Sequence, residues 1–190
     1  FTSDRQVAGL PVRTPMLDIH VIGAGGGSIG WIDAGGALRV GPHSAGADPG
    51  PACYAQDGEE PTVTDANLVL GRLSPDTFGA SGIDLSPEAA DTALAAGVGT
   101  SLGLDSTEAA LGVTEVVDEN MANAARIHAA ERGYDPARYT MVAFGGAGPV
   151  HAWDVARRLG IERFIVPPAA GVGSALGLQL APRSYRLSRT

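Results

Sequence analysis

The sequence of 190 residues has no lysine, one cysteine and no long apolar run. Because all 13 basic residues are arginine, the chain has neither a Schiff-base lysine nor the lysine of a phosphate-binding Gly-Lys-Ser loop. The single cysteine, Cys53, cannot form an internal disulfide, which excludes a disulfide scaffold and predicts a reducing, cytoplasmic compartment. No apolar run approaches the roughly 18 residues of a membrane helix, so we expect no membrane partner.

The chain is acidic and rich in glycine. Its net charge of -8 argues against nucleic acid as a partner, because neutralising phosphates supplies most of that affinity. The 27 glycines are about twice the usual share, which is roughly 7%. The length predicts one domain, and the N-terminus, which is no signal peptide and has no initiating Met, indicates a fragment or processed piece.

The first third of the sequence predicts strands and a long loop. Alternation of apolar and polar residues predicts a strand over 17–22, followed by strands over 28–33 and 37–40 that a glycine turn joins as a hairpin. Residues 41–64 contain many turn formers and predict a long ordered or functional loop. A helix is expected to begin at Thr64 or Asp65 and to end at Gly71.

The remainder predicts helices and then a strand–helix–strand unit. Ser86 and Pro87 are typical of a helix start, which predicts a helix over 87–102. The next helix begins at Asp105 or Ser106, continues for roughly 27 residues and ends before Gly133. Strands over 139–144 and 163–166 flank a helix over 149–159, and a last helix covers 171–180. This order predicts a parallel strand pair and an α/β fold.

Two glycine clusters are candidate anion sites. Residues 23–28 resemble a dinucleotide fingerprint, but a strand follows them where that motif needs a helix. Their remaining interpretations are a turn whose amides approach a phosphate or substrate and a glycine bulge between strands. Residues 145–148 connect a strand to a helix, which directs free amides and the positive helix end towards a ligand. The alternative for this second cluster is a tight turn that needs small residues for packing.

The remaining candidates for catalysis or metal binding are aspartates, histidines and the cysteine. Without lysine, carboxylates near a phosphate suggest a divalent cation, for which Asp48 and Asp65 are the candidate ligands. Their alternative roles are a turn-forming aspartate and a helix cap. His20 precedes the first glycine turn, and His151 lies one turn inside the second glycine-capped helix. The alternative for His20 is a half-buried structural histidine, and that for His151 is packing of its ring between sheet and helix. Cys53 fits a buried apolar position better than a nucleophile.

Five strings of the sequence match one family. They are DIHVIGAGGGSI at 18–29, SAGADPGPACY at 44–54, PTVTDANLVLGRL at 61–73, ERGYDP at 131–136 and AFGGAGPVHA at 143–152. In this order they resemble the hydantoinase A and 5-oxoprolinase family. The family's Asp-Gly-Gly-Thr phosphate motifs are absent, so the chain resembles the C-terminal part of the catalytic region, a single partial domain over 1–190 that is expected to be inactive alone.

The resemblance implies an α/β, partial actin-like ATPase fold of the sugar kinase and Hsp70 type. It implies ATP with Mg²⁺ or Mn²⁺ as cofactors, a cyclic amide such as hydantoin or 5-oxoproline as substrate, and a hydantoinase B-type subunit or fused domain as partner. The alternatives are a ketone carboxylase subunit and a non-catalytic ATP-binding scaffold. The predicted catalytic residues are His20 and Asp65, and the metal ligands are Asp48 and Asp65. The predicted cofactor-binding residues are Gly25, Gly26, Gly27, Ser28, Gly145, Gly146, Ala147 and Gly148.

Overall fold

The computed structural model of the protein describes residues 5–7, 9–12, 17–78 and 82–183. The strands form three two-stranded sheets and are β1 (Arg5–Val7), β2 (Leu10–Val12), β3 (Ser28–Ile32), β4 (Leu38–Ser44), β5 (Met141–Val142) and β6 (Phe164–Ile165). The α-helices are α1 (Val63–Val69), α2 (Pro75–Phe78), α3 (Pro87–Leu94), α4 (Thr100–Leu102), α5 (Ser106–Ala130), α6 (Gly148–Arg158) and α7 (Gly173–Leu180). Short 3₁₀ turns cover Ala52–Tyr54, Pro136–Arg138 and Ala170–Val172.

The predicted hairpin is present as the antiparallel pair of β3 and β4. Its turn is held by the Asp33 carboxylate, which accepts hydrogen bonds from the backbone amides of Gly35 at 2.9 Å and Ala37 at 3.0 Å. These bonds and the Arg39 side chain lower the pKa of Asp33, with the Ala37 amide as the largest cause. Pairing carries β4 on to Ser44, four residues beyond the predicted end, because β3 offers a partner as far back as Ser28.

The predicted strand over 17–22 is wrong, because the structure assigns no strand to these residues. The apolar members of the alternation, Leu17, Ile19 and Val21, are all more than half exposed. The polar members lie against the end of α5, where the His20 ring is 5.3 Å from that of His128 and Asp18 pairs with Arg132 just beyond the helix. A strand needs a hydrogen-bonded neighbour, and the alternating pattern of one segment cannot supply it.

Helix α1 begins one to two residues earlier than predicted. Its N-cap is Thr62, whose hydroxyl accepts a hydrogen bond from the Asp65 amide, while Asp65 is the third helical residue and completes a capping box. Thr62 was not among the predicted starts, although threonine is a residue type that caps helices as Thr64 and Asp65 do. Gly71 follows the helix with a φ of 68°, as its predicted role as a helix stop requires.

The two central helices agree with the prediction. Ser86 caps α3 with Pro87 in its first turn, and Asp105 caps α5 with a capping box to Glu108. A π-helical turn over Ala95–Gly99 joins α3 to α4, so residues 87–102 are helical with one widened turn. The fully buried core lies where α1, α3 and α5 meet, and its members include Val63, Ala66, Leu94, Val98, Val113 and Val117.

The last third contains the predicted parallel pair. β5 and β6 are paired in parallel, with Met141 opposite Phe164 and Val142 opposite Ile165, and helix α6 connects them. Both strands are shorter than predicted, since only two residues of each enter the ladder. Gly160 ends the α6 region with a φ of 68°. Among the described residues, no helix combines the length and apolar character that crossing a membrane requires.

Candidate functional site

The two glycine clusters, which lie about 120 residues apart in the sequence, line one cavity of about 280 Å³. Gly26 and Gly27 contribute one wall, and Gly146 and Ala147 contribute another. The remaining lining residues are Gly46, Pro51, Tyr54, Thr64, Asn67, Leu73, Phe78 and Val150. The cavity therefore combines backbone-rich walls with an aromatic and apolar side and two polar side chains.

The first glycine turn is fixed through its carbonyl groups. The Gly26 carbonyl accepts hydrogen bonds from the Thr64 amide at 2.8 Å and the Thr64 hydroxyl at 2.9 Å, and the Gly27 carbonyl accepts one from the Ala45 amide. Within the described part of the chain, the amides of Gly26 and Gly27 donate no hydrogen bond. The β3–β4 register also shifts between Ser28 and Gly30. The turn thus combines an irregularity of the strand pair with unpaired amides at a cavity.

Ser28 and Gly25 form hydrogen bonds with each other across this turn. The Gly25 amide donates to the Ser28 hydroxyl at 3.0 Å, and the Ser28 amide donates to the Gly25 carbonyl at 3.1 Å. Ser28 is buried, and neither residue lines the cavity. Ser28 and Gly25 therefore stabilise the turn and do not line the cavity.

The second glycine turn opens helix α6 at the cavity. Gly145 has a φ of 98°, a value that favours glycine, and its amide donates to the Ala170 carbonyl at 2.8 Å. Ala147 is the N-cap and provides no side-chain hydrogen bond, while Gly148 begins the helix. Among the described residues, the amides of Gly146, Ala147 and Gly148 donate no hydrogen bond. These amides and the positive end of the helix suit an anionic group in the cavity.

Asp65 lies beneath the loop that borders the cavity and is fully buried. One carboxylate oxygen accepts a hydrogen bond from the Cys53 amide at 2.7 Å, and the other accepts bonds from the amide and hydroxyl of Thr62, both at 2.7 Å. This carboxylate therefore ties the Ala52–Tyr54 turn to the start of α1. Burial, followed by the nearby Asp65 charge, raises the pKa of the Cys53 thiol, which is typical of an unreactive structural cysteine.

His20 and Asp48 do not line the cavity. Asp48 is exposed in the loop between β4 and the Ala52–Tyr54 turn, and His20 is exposed with its ring 5.3 Å from that of His128 on α5. The structure does not bring the predicted metal ligands Asp48 and Asp65 together in a ligand set. Among the residues that the structure describes, no group of three or more His, Cys, Asp or Glu side chains is arranged to hold a metal ion.

A buried hydrogen-bonded chain behind the cavity was not predicted. His151 on α6 has its Nδ1 2.6 Å from the Asp118 carboxylate on α5 and its Nε2 3.4 Å from the Asn67 Nδ2 on α1. All three side chains are buried, and Asn67 also lines the cavity. His151 stood out in the sequence only by its position after the glycine turn. Its partners are 33 and 84 residues away, so no local pattern indicates them.

The cavity is lined by backbone amides on an α/β scaffold, an arrangement that suits an anionic group. The chain belongs to the Hydantoinase/oxoprolinase family, whose model matches residues 1–186. The resemblance found in the sequence is thereby confirmed.

Three relatives are similar to this chain along most of its length. An uncharacterized protein of Methanocaldococcus jannaschii is 47% identical over 92% of this chain and 25% of its own length. The acetophenone carboxylase gamma subunit of Aromatoleum aromaticum is 42% identical over 87% of this chain and 22% of its own. The 5-oxoprolinase of Saccharomyces cerevisiae is 40% identical over 92% of this chain and 14% of its own. The chain thus spans a quarter or less of the length of these relatives.

Two solved structures share the fold. The ATP-dependent caprolactamase from Pseudomonas jessenii matches with a TM-score of 0.84 and 38% identity, over 93% of this chain and 26% of that one. The nucleotide-free acetone carboxylase matches with a TM-score of 0.82 and 34% identity, over 92% of this chain and 25% of that one. These matches confirm the predicted fold class, an α/β part of the actin-like ATPase fold with helices packed on small sheets.

Proposed function

We propose that this chain forms the glycine-lined part of the ATP site in an enzyme that opens cyclic amides such as hydantoin or 5-oxoproline. The observation that supports this most directly is the meeting of the two glycine turns, with Gly26, Gly27, Gly146 and Ala147 around one cavity. Family membership and the ATP-dependent caprolactamase as a structural relative favour the same reaction.

The residues of this chain would act through binding and charge stabilisation. ATP, when bound, supplies the phosphoryl group that turns the amide oxygen of the substrate into part of a leaving group. The amides of Gly26, Gly27, Gly146 and Ala147, which make no protein hydrogen bond in the described part of the chain, would bind phosphate oxygens. Preorganised amides of this kind stabilise developing negative charge without reorganisation. Thr64 and Asp65 would hold the first turn and its neighbouring loop in place.

A divalent cation fits the two predicted ligands, Asp48 and Asp65, poorly. Both oxygens of Asp65 already accept hydrogen bonds from protein donors, and Asp48 is exposed and apart from the cavity lining. The catalytic roles of His20 and Asp65 stay predictions, and His20 is not among the cavity-lining residues.

Phosphate release by the full-length protein tests the proposed function. The protein is incubated with ATP and, in turn, hydantoin, 5-oxoproline or caprolactam. We expect one cyclic amide to stimulate phosphate release and to be consumed in equal amount. Gly146→Val should weaken ATP binding by at least about tenfold, because its side chain occupies the cavity next to the unpaired amides. Wild-type protein that binds no ATP, or a Gly146→Val variant with unchanged ATP affinity, would disprove the nucleotide assignment.

A ketone carboxylase subunit is the second candidate, because acetone carboxylase shares the fold and an acetophenone carboxylase subunit is a relative. The same ATP site would then activate bicarbonate. Adding acetone or acetophenone with bicarbonate to the assay separates the two reactions, since only a carboxylase releases phosphate with the ketone and not with the cyclic amide.

A partner subunit is part of the proposal for either reaction. The acetophenone carboxylase relative is named as a gamma subunit and another relative as caprolactamase subunit alpha, so these proteins work with further chains. We infer a hydantoinase B-type subunit or fused domain as the partner here. Phosphate release that requires the addition of that subunit would support this, while full turnover by one chain without such a domain would contradict it.

ATP binding without turnover under every condition would favour a non-catalytic scaffold.

A further inference from the structure

The buried chain of Asp118, His151 and Asn67 connects three helices directly behind the cavity. Asp118 and His151 are 1% and 2% exposed, and their contact of 2.6 Å joins α5 to α6. Asn67 is 3% exposed and joins α1 to the same imidazole. Of these three residues only Asn67 lines the cavity, so it is the point at which the buried chain meets the ligand space.

The Asp118 carboxylate determines how the Asn67 carboxamide is oriented. A carboxylate only accepts hydrogen bonds, so Nδ1 of His151 must carry a proton and donate it to Asp118. In the neutral imidazole Nε2 is then an acceptor, and it is matched by the Nδ2 of Asn67 as the donor. For the neutral imidazole, the network thus assigns Nδ2 to the histidine and Oδ1 to the opposite side of the carboxamide.

The Asn67 Oδ1 is left without a donor. Within the described part of the chain it is buried and makes no hydrogen bond. The other buried side-chain atom of this kind, Nη1 of Arg72, does not reach it. Buried polar atoms of proteins are nearly always paired, and an exception at a cavity is a candidate for a contact that a ligand completes.

We propose that Asn67 is a specificity-determining residue whose Oδ1 accepts a hydrogen bond from an N–H or O–H group of the ligand in the cavity, with His151 and Asp118 as positioning residues. The inference rests on the proposed function, which supplies two ligands with such groups. ATP carries an adenine amino group and ribose hydroxyls, and a cyclic amide carries a ring N–H. Both ligands therefore offer a hydrogen-bond donor to the Asn67 carboxamide, whose orientation His151 fixes.

Pairs of probes that differ in one donor test this in the full-length protein. Calorimetry compares ATP with inosine triphosphate, which replaces the amino group by oxygen, and with 2′-deoxy-ATP. Turnover compares the active cyclic amide with its N-methyl analogue. We expect wild-type protein to favour the donor-bearing member of one pair by about tenfold. Asn67→Leu, which removes Oδ1 at a similar side-chain volume, should abolish that preference.

Asp118→Asn tests the positioning role without altering residue 67. The loss of the carboxylate releases the imidazole tautomer, so the preference between the probes should fall while the overall affinity changes less. Asn123→Leu, which replaces an exposed asparagine on α5, is the control and should leave every ratio unchanged. Circular dichroism establishes that each variant is folded.

Two results would overturn the inference. If wild-type protein binds ATP but Asn67→Leu leaves all the probe ratios at their wild-type values, Asn67 does not contribute to ligand specificity. Its Oδ1 is then hydrogen-bonded to a buried water. The proposed function would then stand. If Asp118→Asn lowers the melting temperature without changing any ratio, Asp118 is structural only. Wild-type protein that binds no ATP would instead disprove the proposed function itself, and the inference with it.

Discussion

At the residue scale, Gly26 and Gly146 line the same cavity but need to be glycine for different reasons. A Cβ at position 26 would lie 2.7 Å from the Thr64 hydroxyl, which is closer than real side chains approach. A Cβ at position 146 would meet no atom within 4 Å. Packing therefore requires glycine at 26, whereas at 146 glycine only keeps the cavity open.

The alanine variants of the two glycines should separate stability from binding. Gly26→Ala must displace Thr64, so we expect it to lower the free energy of unfolding by about 1–3 kcal/mol and also to weaken ATP binding. Gly146→Ala should leave the stability within about 0.5 kcal/mol of wild type and weaken only ATP binding. Urea unfolding and ATP titration measure the two effects. A Gly146→Ala variant that loses as much stability as Gly26→Ala would contradict this division.

Single residues show why the site could be predicted only in part. The glycine turns were identified because each turn is a short string with its own geometric requirement. The sequence predicts Asp65 as either an N-cap or a metal ligand. It is instead the third residue of α1, and its carboxylate completes the capping box of Thr62 and accepts a hydrogen bond from the Cys53 amide. The Asp118–His151 contact joins residues 33 positions apart on different helices, which no spacing rule within one element specifies.

At the scale of elements, local signals predicted the helices better than the strands. Ser86 and Asp105 mark helix starts through hydrogen bonds within four residues, so the sequence contains the complete signal. The π-helical turn at Ala95–Gly99 is packed closely against residues outside it, since a Cβ on Gly97 would lie 2.7 Å from the Pro61 ring and one on Gly99 2.7 Å from the Leu104 carbonyl. Residues 17–22 have a strand pattern but no paired strand, because pairing depends on a second segment.

Residues 17–22 are held by the C-terminal end of α5 instead of by a strand. The Arg132 guanidinium donates to the Asp18 carboxylate at 2.9 Å and to the His128 carbonyl at 2.9 Å, and the bond to Asp18 raises the pKa of Arg132. We expect Arg132→Ala to increase amide hydrogen exchange in residues 17–22 by about tenfold or more, since local opening then breaks fewer contacts. Arg126→Ala on α5, which removes a bond to Asn123, is the control and should leave this segment unchanged. Unchanged exchange in Arg132→Ala would show that other contacts hold the segment.

At the scale of the whole molecule, the parallel pair of β5 and β6 carries an apolar surface that the described residues do not cover. Val142 and Ile165 are each 53% exposed, Phe144 is 53% exposed and Phe164 is 36% exposed. Parallel sheets are normally covered on both faces, and contiguous apolar patches of this kind mark interaction surfaces. The relatives are about four or more times as long as this chain, so further residues are available in such proteins to cover the patch.

The exposed sheet predicts that the 190-residue chain, produced alone, self-associates through β5 and β6. Sedimentation velocity should show species larger than the 19.2 kDa monomer that increase with concentration. Ile165→Glu introduces a charge on the patch and should shift the distribution towards monomer, because burying an unpaired carboxylate in an apolar contact is unfavourable. Thr107→Glu adds the same charge at an exposed position of α5 and should leave the distribution as it is in the wild type. If both variants associate as the wild type does, the contact lies elsewhere on the molecule, and β5 and β6 are stable as an exposed pair.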